Sequence, residues 1–269
     1  RAVDTIIHVV RCFEDEGIVH VSGRVDPLDD IEVIETELIL ADMETLTKRI
    51  YKAGKMVKTG DKEMKAAMPV YEELNAAFEA GSSARSVLTE ETAALVADLN
   101  LLTAKPVIYV ANVSEDDLDG ADPAVIAVKE YADKQKAGFV VICGKIESEI
   151  AELSEEERRE FLADLGLTRS GLDRLAEAAY KVLGLITFFT VGVKEVRAWT
   201  VRDGALAPES AGVIHTDFER GFIKAEIMSY DDYIACGSEA ACKEKGLLRI
   251  EGKEYMVKDG DIIHFRFAV

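Results

Sequence analysis

Val107-Ile108-Tyr109-Val110-Ala111-Asn112-Val113-Ser114-Glu115 decides the reading of this chain. An apolar run rich in β-branched and aromatic residues ends on an Asn, with an acid three residues later. A strand buried on both faces of a parallel sheet reads this way, because helices cover each face. Ligands in open α/β sheets bind just beyond the carboxyl ends of such strands, where Asn112 and Glu115 fall. Asn after a strand is also an ordinary turn residue, so the pair takes its meaning from what surrounds it.

Outward from that stretch, Pro106 opens the strand and residues 122–137 read as a helix. Phe139-Val140-Val141-Ile142 then reads as another parallel strand, which makes a βαβ unit. It ends in Cys143-Gly144-Lys145. A Gly there lets backbone approach closely, so Gly144 and Lys145 suit the second wall of a base pocket. A plain strand-to-helix turn is the competing reading. Thr5-Ile6-Ile7-His8-Val9-Val10 predicts a buried strand almost at the N-terminus. That placement suggests a chain entered mid-domain.

The chain has 269 residues, 48% of them hydrophobic and 31% charged, enough for one large domain or two to three smaller ones. No apolar run reaches the ~18 residues of a membrane span, and no signal peptide is visible. Cys12, Cys143, Cys236 and Cys242 lie in no metal-binding spacing, and reduced thiols in the cytoplasm are the expectation. A redox role for Cys12 or Cys143 would require a low-pKa setting. The net charge of −19 argues against a generic nucleic-acid binder, since phosphate repels an acidic surface.

Asp26-Pro27 is a helix start, an N-cap acid followed by Pro. Ile31, Ile34, Leu38 and Ala41 follow at helical spacing, and after Gly60-Asp61 come Met64, Ala67, Tyr71, Leu74 and Phe78. Two such stripes joined by a short connection predict an antiparallel helical hairpin. Residues 29–44 hold seven acids and no bases, whereas 48–65 hold Lys48, Arg49, Lys52, Lys55, Lys58, Lys62 and Lys65. The base of the hairpin is thus acidic and its tip basic. The tip is either a solvated surface or a probe for a phosphate-rich partner.

Thr89-Glu90-Glu91 caps a further short helix, and Ser154 opens helices over 155–165 and 171–183. From about Phe188 the texture changes. Strands are expected over Val193–Arg202, Phe222–Tyr230 and Ile262–Val269, a helix over Pro208–Phe218, and a hairpin across Ile250–Tyr255. His215, Asp217 and His264 are the only candidates for chemistry there, and a structural role for them is the simpler reading.

The strand ends and the hairpin together carry a resemblance. In GTPases the loop after the corresponding strand holds Asn-Lys-x-Asp, whose acid reads guanine; here Val113 and Glu115 replace the Lys and the Asp. The chain resembles the YchF/Obg-like ATPase family of the P-loop GTPase superfamily. The residues that carry the resemblance are His8–Phe13, Asp26–Glu32, Asn112–Glu115, Val193–Thr200, Ala211–Phe218 and Asp259–Phe267. They run from one end of the chain to the other.

The resemblance implies an α/β fold in three parts. Residues 1–27 and 99–189 would be the C-terminal part of a GTPase-type nucleotide-binding domain. Residues 28–98 would be an inserted helical, coiled-coil-like arm. Residues 190–269 would be a TGS domain with a ubiquitin-like β-grasp fold. The family's base motif maps onto Asn112 and Glu115, with Val113 lying against the base. Asn offers both a donor and an acceptor, so it can serve adenine as well as guanine. The extra methylene of Glu115 disturbs the bidentate fit of the usual Asp. ATP is then favoured, or the choice between ATP and GTP relaxed, by about 1–3 kcal/mol per lost pairing.

The sequence contains no GxxxxGK[ST] segment. The phosphate loop, the magnesium-binding Thr and the Asp-x-x-Gly switch are expected before Arg1, so no catalytic residue and no Mg2+ ligand is assigned in this chain. Two functions follow. One is a nucleotide hydrolase working as a molecular switch linked to the ribosome. The other is a ribosome- or RNA-interaction protein in which hydrolysis is incidental, with Lys48, Arg49, Lys52, Lys55 and Lys58 as its contact surface. A monomer without membrane association is expected in both.

Overall fold

The structure is a computed structural model that describes residues 2–15, 17, 20, 23–192 and 195–268. It divides into two compact units, residues 2–182 and 183–268 of those described.

The first unit is built on a three-stranded parallel sheet, β1 (Ile6–Arg11), β2 (Val107–Asn112) and β3 (Gly138–Ile142), in the order β1-β2-β3. Register runs from Ile6 opposite Val107 to Arg11 opposite Asn112, and from Ile108 opposite Gly138 to Asn112 opposite Ile142. β2 is the buried central strand that its unbroken apolar run predicts. β1 departs from the expected buried strand. Its Ile7 and Val9 are exposed, because β1 is an end strand and one of its faces is uncovered by any described residue.

Helix α1 (Pro27–Lys58) doubles back at Gly60 into α2 (Lys62–Glu79), the expected hairpin. Asp26 caps α1 by accepting from Asp29 N at 3.3 Å, and Lys55 and Lys58 sit in its last turn, complementing the helix dipole. The expected stripe on α2 is the buried one. On α1 it is not. Ile34 is 45% exposed, and the seam runs Ile31, Glu35, Ile39, Asp42, Leu46. Two acids occupy seam positions, so a reading by hydrophobicity alone rotates the helix away from its true face.

After α3 (Glu90–Val96) the chain enters β2, crosses by α4 (Pro123–Lys134) to β3, and continues through α5 (Gly144–Ile150), α6 (Glu155–Asp164) and α7 (Gly171–Leu183). α4 packs Val125, Val128 and Ala132 against one sheet face, with Tyr109 and Ala111. α7 packs Leu175, Ala178, Ala179 and Val182 against the other, with Ile108, Val110, Val140 and Ile142.

The second unit carries β4 (Leu185–Val191), β5 (Val196–Arg202), α8 (Ala207–Ile214), α9 (Thr216–Arg220), β6 (Phe222–Ser229), α10 (Tyr230–Cys236), α11 (Glu239–Glu244), β7 (Arg249–Glu251) and β8 (Asp261–Phe267). Its mixed sheet has the order β5-β4-β8-β6-β7, and the β4–β8 pair is parallel. Three expectations are corrected here. The helix over 208–218 breaks at His215, whose extended backbone (φ −161°) ends α8 and caps α9. The hairpin across Ile250–Tyr255 is absent; β7 pairs antiparallel with β6 instead, and Tyr255 C=O accepts from Ala207 N. β4, α10 and α11 were not anticipated. Val193 and Lys194, part of one expected strand, and Val269 lie outside the described residues.

Candidate functional site

β2 and β3 end side by side, and the structure brings Asn112, Glu115, Gly144 and Lys145 together just past those ends. Asn112 Oδ1 accepts from the Gly144 N–H at 3.0 Å. Gly144 is the first residue of α5, so its N–H has no partner within the helix. The Asn112 carboxamide thus caps the helix that follows the neighbouring strand. A Cβ on Gly144 would stand 3.3 Å from Asn112 Oδ1, tighter than ordinary packing, so the glycine permits this approach.

Lys145 Nζ donates to Glu115 Oε2 at 2.6 Å across the same gap. Both side chains are exposed, and the carboxylate beside it raises the Lys145 pKa, keeping the ammonium charged. Asn112 is therefore half committed. Oδ1 is engaged by Gly144, and Nδ2 offers two further donors. Oδ1 keeps a second lone pair, so the carboxamide still offers a donor and an acceptor.

Val113 also departs from expectation. Its side chain is 2% exposed and packs in the core with Tyr109, Val125 and Ile146, while its N–H donates to Ile142 C=O at 2.9 Å. It fastens β2 to β3 rather than offering an apolar surface to a base.

The basic residues of the arm separate into two groups. Arg49 pairs with Asp98 at 2.6 Å and Lys48 with Glu44 at 2.5 Å. Lys55 lies over the Tyr51 ring at 4.2 Å. Lys52 and Lys58 are exposed near the hairpin tip. Burial pushes the Cys12 thiol up to about 12, helped by Asp122, Asp117 and Asp30, so it stays protonated at neutral pH. In the second unit His215 Nδ1 accepts from Asp217 N at 3.2 Å and His264 lies 3.9 Å from Glu239, both structural placements.

Sequence reasoning missed the residues that hold the arm to this site. Glu35, on α1, accepts from Tyr109 OH at 2.5 Å and Arg85 Nη2 at 2.8 Å through Oε1, and from Tyr131 OH at 2.9 Å through Oε2. Tyr109 lies on β2 three residues before Asn112, and Tyr131 on α4, their rings edge to face at 5.6 Å. Two turns further along, Asp42 is fully buried and accepts from Leu102 N, Thr103 N and Thr103 Oγ1 at 2.9, 2.7 and 2.9 Å. The available signal was two acids seven residues apart, in phase with Ile31, Ile39 and Leu46.

A family model named YchF-GTPase_C, described as a protein of unknown function (DUF933), matches residues 185–268. The ribosome-binding ATPase YchF of Bacillus subtilis is 56% identical over 274 residues, covering 100% of this chain and 74% of the relative. Its Escherichia coli O157:H7 namesake is 48% identical over 270 residues with the same coverage. Obg-like ATPase 1 of Gallus gallus is 42% identical over 274 residues, 99% of this chain and 69% of the relative. The solved Schizosaccharomyces pombe YchF GTPase superposes with a TM-score of 0.83 at 36% identity, over 98% of this chain and 72% of that one. Likeness at this level across both units places the chain in the YchF/Obg-like ATPase family.

Proposed function

We propose that this chain carries the base-reading part of a ribosome-linked P-loop ATPase/GTPase that works as a nucleotide switch. One observation carries the reading: Asn112 and Glu115 from one strand end are joined to Gly144 and Lys145 from the next. That rim lies where nucleotides bind in such sheets. The relatives' printed names, ribosome-binding ATPase and YchF GTPase, support nucleotide hydrolysis and ribosome association.

In this reading Asn112 Nδ2 donates to the purine ring. Glu115 and Lys145 stand at its Watson–Crick edge, where the lysine holds the carboxylate in place. A carboxylate one methylene longer than Asp relaxes guanine recognition and admits ATP. Magnesium accompanies the nucleotide in such enzymes. Among the described residues no three His, Cys, Asp or Glu side chains converge to hold a metal, so no step is assigned to it here.

α1 and α2 form a coiled-coil-like arm whose tip lysines, Lys52 and Lys58 first, meet the ribosome. The second unit is read as a TGS domain of β-grasp type. The parallel β4–β8 pair at the centre of its sheet and α8 beside it support that reading. A cytoplasmic site of action accords with a ribosomal partner.

ATP and GTP titrations on a full-length family member carrying Glu115→Asp test the base assignment. The expected result is a shift toward GTP of about tenfold, the equivalent of 1.4 kcal/mol. An unchanged ratio of affinities overturns it. Co-sedimentation with ribosomes of a Lys52→Glu, Lys55→Glu, Lys58→Glu variant tests the arm. Unaltered pelleting would remove the tip from the interface and leave the ribosome to another surface.

A further inference from the structure

Among the described residues β3 is an end strand and pairs with β2 alone. In a parallel ladder the N–H and C=O of one residue face the same side, and sides alternate along the strand. Ile142 C=O accepts from Val113 N, so the backbone of Gly138, Val140 and Ile142 faces β2. The backbone groups of Phe139 and Val141 face the other way. A cavity of about 780 Å³ runs along that edge, and both residues line it.

Edges left open to water are normally guarded by a lysine, a proline or a bulge. Gly138-Phe139-Val140-Val141-Ile142 contains none of these and pairs with β2 in unbroken register. The walls of the cavity are helical. Lys129 on α4 and Lys136 just after it line the side toward one sheet face. Arg174 and Lys181 on α7 line the side toward the other. Asp119, Asp133 and Glu177 are the acids present, so four cations face three acids in a chain with 32 basic and 51 acidic residues. Arg174 has a buried Nε with no hydrogen-bond partner among the described residues, a donor left for an incoming acceptor.

We propose that the outer edge of β3 accepts an extended, acidic peptide segment of a partner protein as a fourth strand of the sheet. Phe139 and Val141 supply the main-chain hydrogen bonds. Side chains of an added strand point alternately to the two sheet faces. Acidic residues at either set of positions therefore meet a pair of cations, Lys129 and Lys136 or Arg174 and Lys181.

The test uses this chain with a fluorescein-labelled peptide of alternating Glu and Val, and a Lys-Val counterpart as control. Anisotropy follows binding, and amide hydrogen exchange reads Phe139 and Val141. The Glu-Val peptide should bind saturably, weaken about tenfold when salt rises to 1 M, and slow exchange at both amides. Lys129→Glu with Lys181→Glu should weaken binding by about tenfold or more. Val141→Pro should abolish it, since proline is tolerated on an outward edge position but donates nothing there. The proposal fails if the Glu-Val peptide does not bind, if the Lys-Val peptide binds equally, or if binding leaves the two amides unprotected. Protection that appears without peptide and grows with protein concentration also overturns it, assigning the edge to a second copy of the chain.

Discussion

The rim at the ends of β2 and β3 and the root of the arm are both organised by acidic side chains, and they are opposite in kind. At the rim Glu115 is exposed and holds one exposed partner, Lys145. At the root Asp42 is fully buried and Glu35 half-buried, with a side chain 21% exposed, each with three donors. An exposed pair in water is worth little to the fold and is free to be exchanged for a ligand. A buried carboxylate must keep its donors, because an orphaned donor inside the protein loses its water and gains nothing. The proposed base-reading rim sits where acids are dispensable to folding, and the architecture rests where they are not.

The largest effect that tests this contrast is expected at Asp42. Asp42→Ala orphans two backbone N–H groups and a hydroxyl and should cost about 3 kcal/mol in urea unfolding, enough to loosen α1 from the segment before β2. A loss equal to that of a surface substitution would break the comparison. Glu35→Ala should cost roughly 2 kcal/mol, and Glu35→Gln less, since the amide still accepts from Arg85 and one tyrosine.

Alkaline pH provides a sharper probe of the root. Burial and then the Glu35 hydrogen bond push the Tyr131 hydroxyl up to about 12, and the same causes in the same order raise Tyr109. The folded state therefore holds these protons more tightly than the unfolded chain does. Stability should be level below pH ~10 and fall as pH climbs from there through about 12. Tyr109→Phe with Tyr131→Phe should flatten that decline; an unchanged slope in pH-dependent melting would place the alkaline loss elsewhere. The smallest effect is expected at the rim, where Lys145→Ala should leave the melting temperature unmoved. A clear drop would show that the rim is part of the architecture after all.

The two regions were not equally legible in the sequence. The rim could be read because an apolar strand ending in Asn at a βαβ crossover is a local pattern, and Gly144 is a local signal for close approach. Val113 was misplaced because a strand's last residues alternate in a way that only pairing with Ile142 reveals. Glu35 and Asp42 were counted with the solvated acids of the hairpin base. Charge is ordinarily a surface signal, and their donors, Arg85, Tyr109, Tyr131 and Thr103, come from segments 50 or more residues away. In the second unit the pairing of β7 with β6 is likewise set by contacts distant in sequence, while β5 was legible from its alternation.

The seven residues between Glu35 and Asp42 make α1 a geared element. At 1.5 Å per residue the two clamps stand about 10 Å apart, and Lys58 lies about 24 Å beyond the second. If the helix pivots on Asp42, a 1 Å sideways displacement at Glu35 swings its far end by roughly 2 Å. Glu35 grips Tyr109, and Tyr109 shares a strand with Asn112. A sideways shift of Tyr109 would then reach the hairpin tip about twofold larger, a ratio fixed by where along the helix the two acids fall.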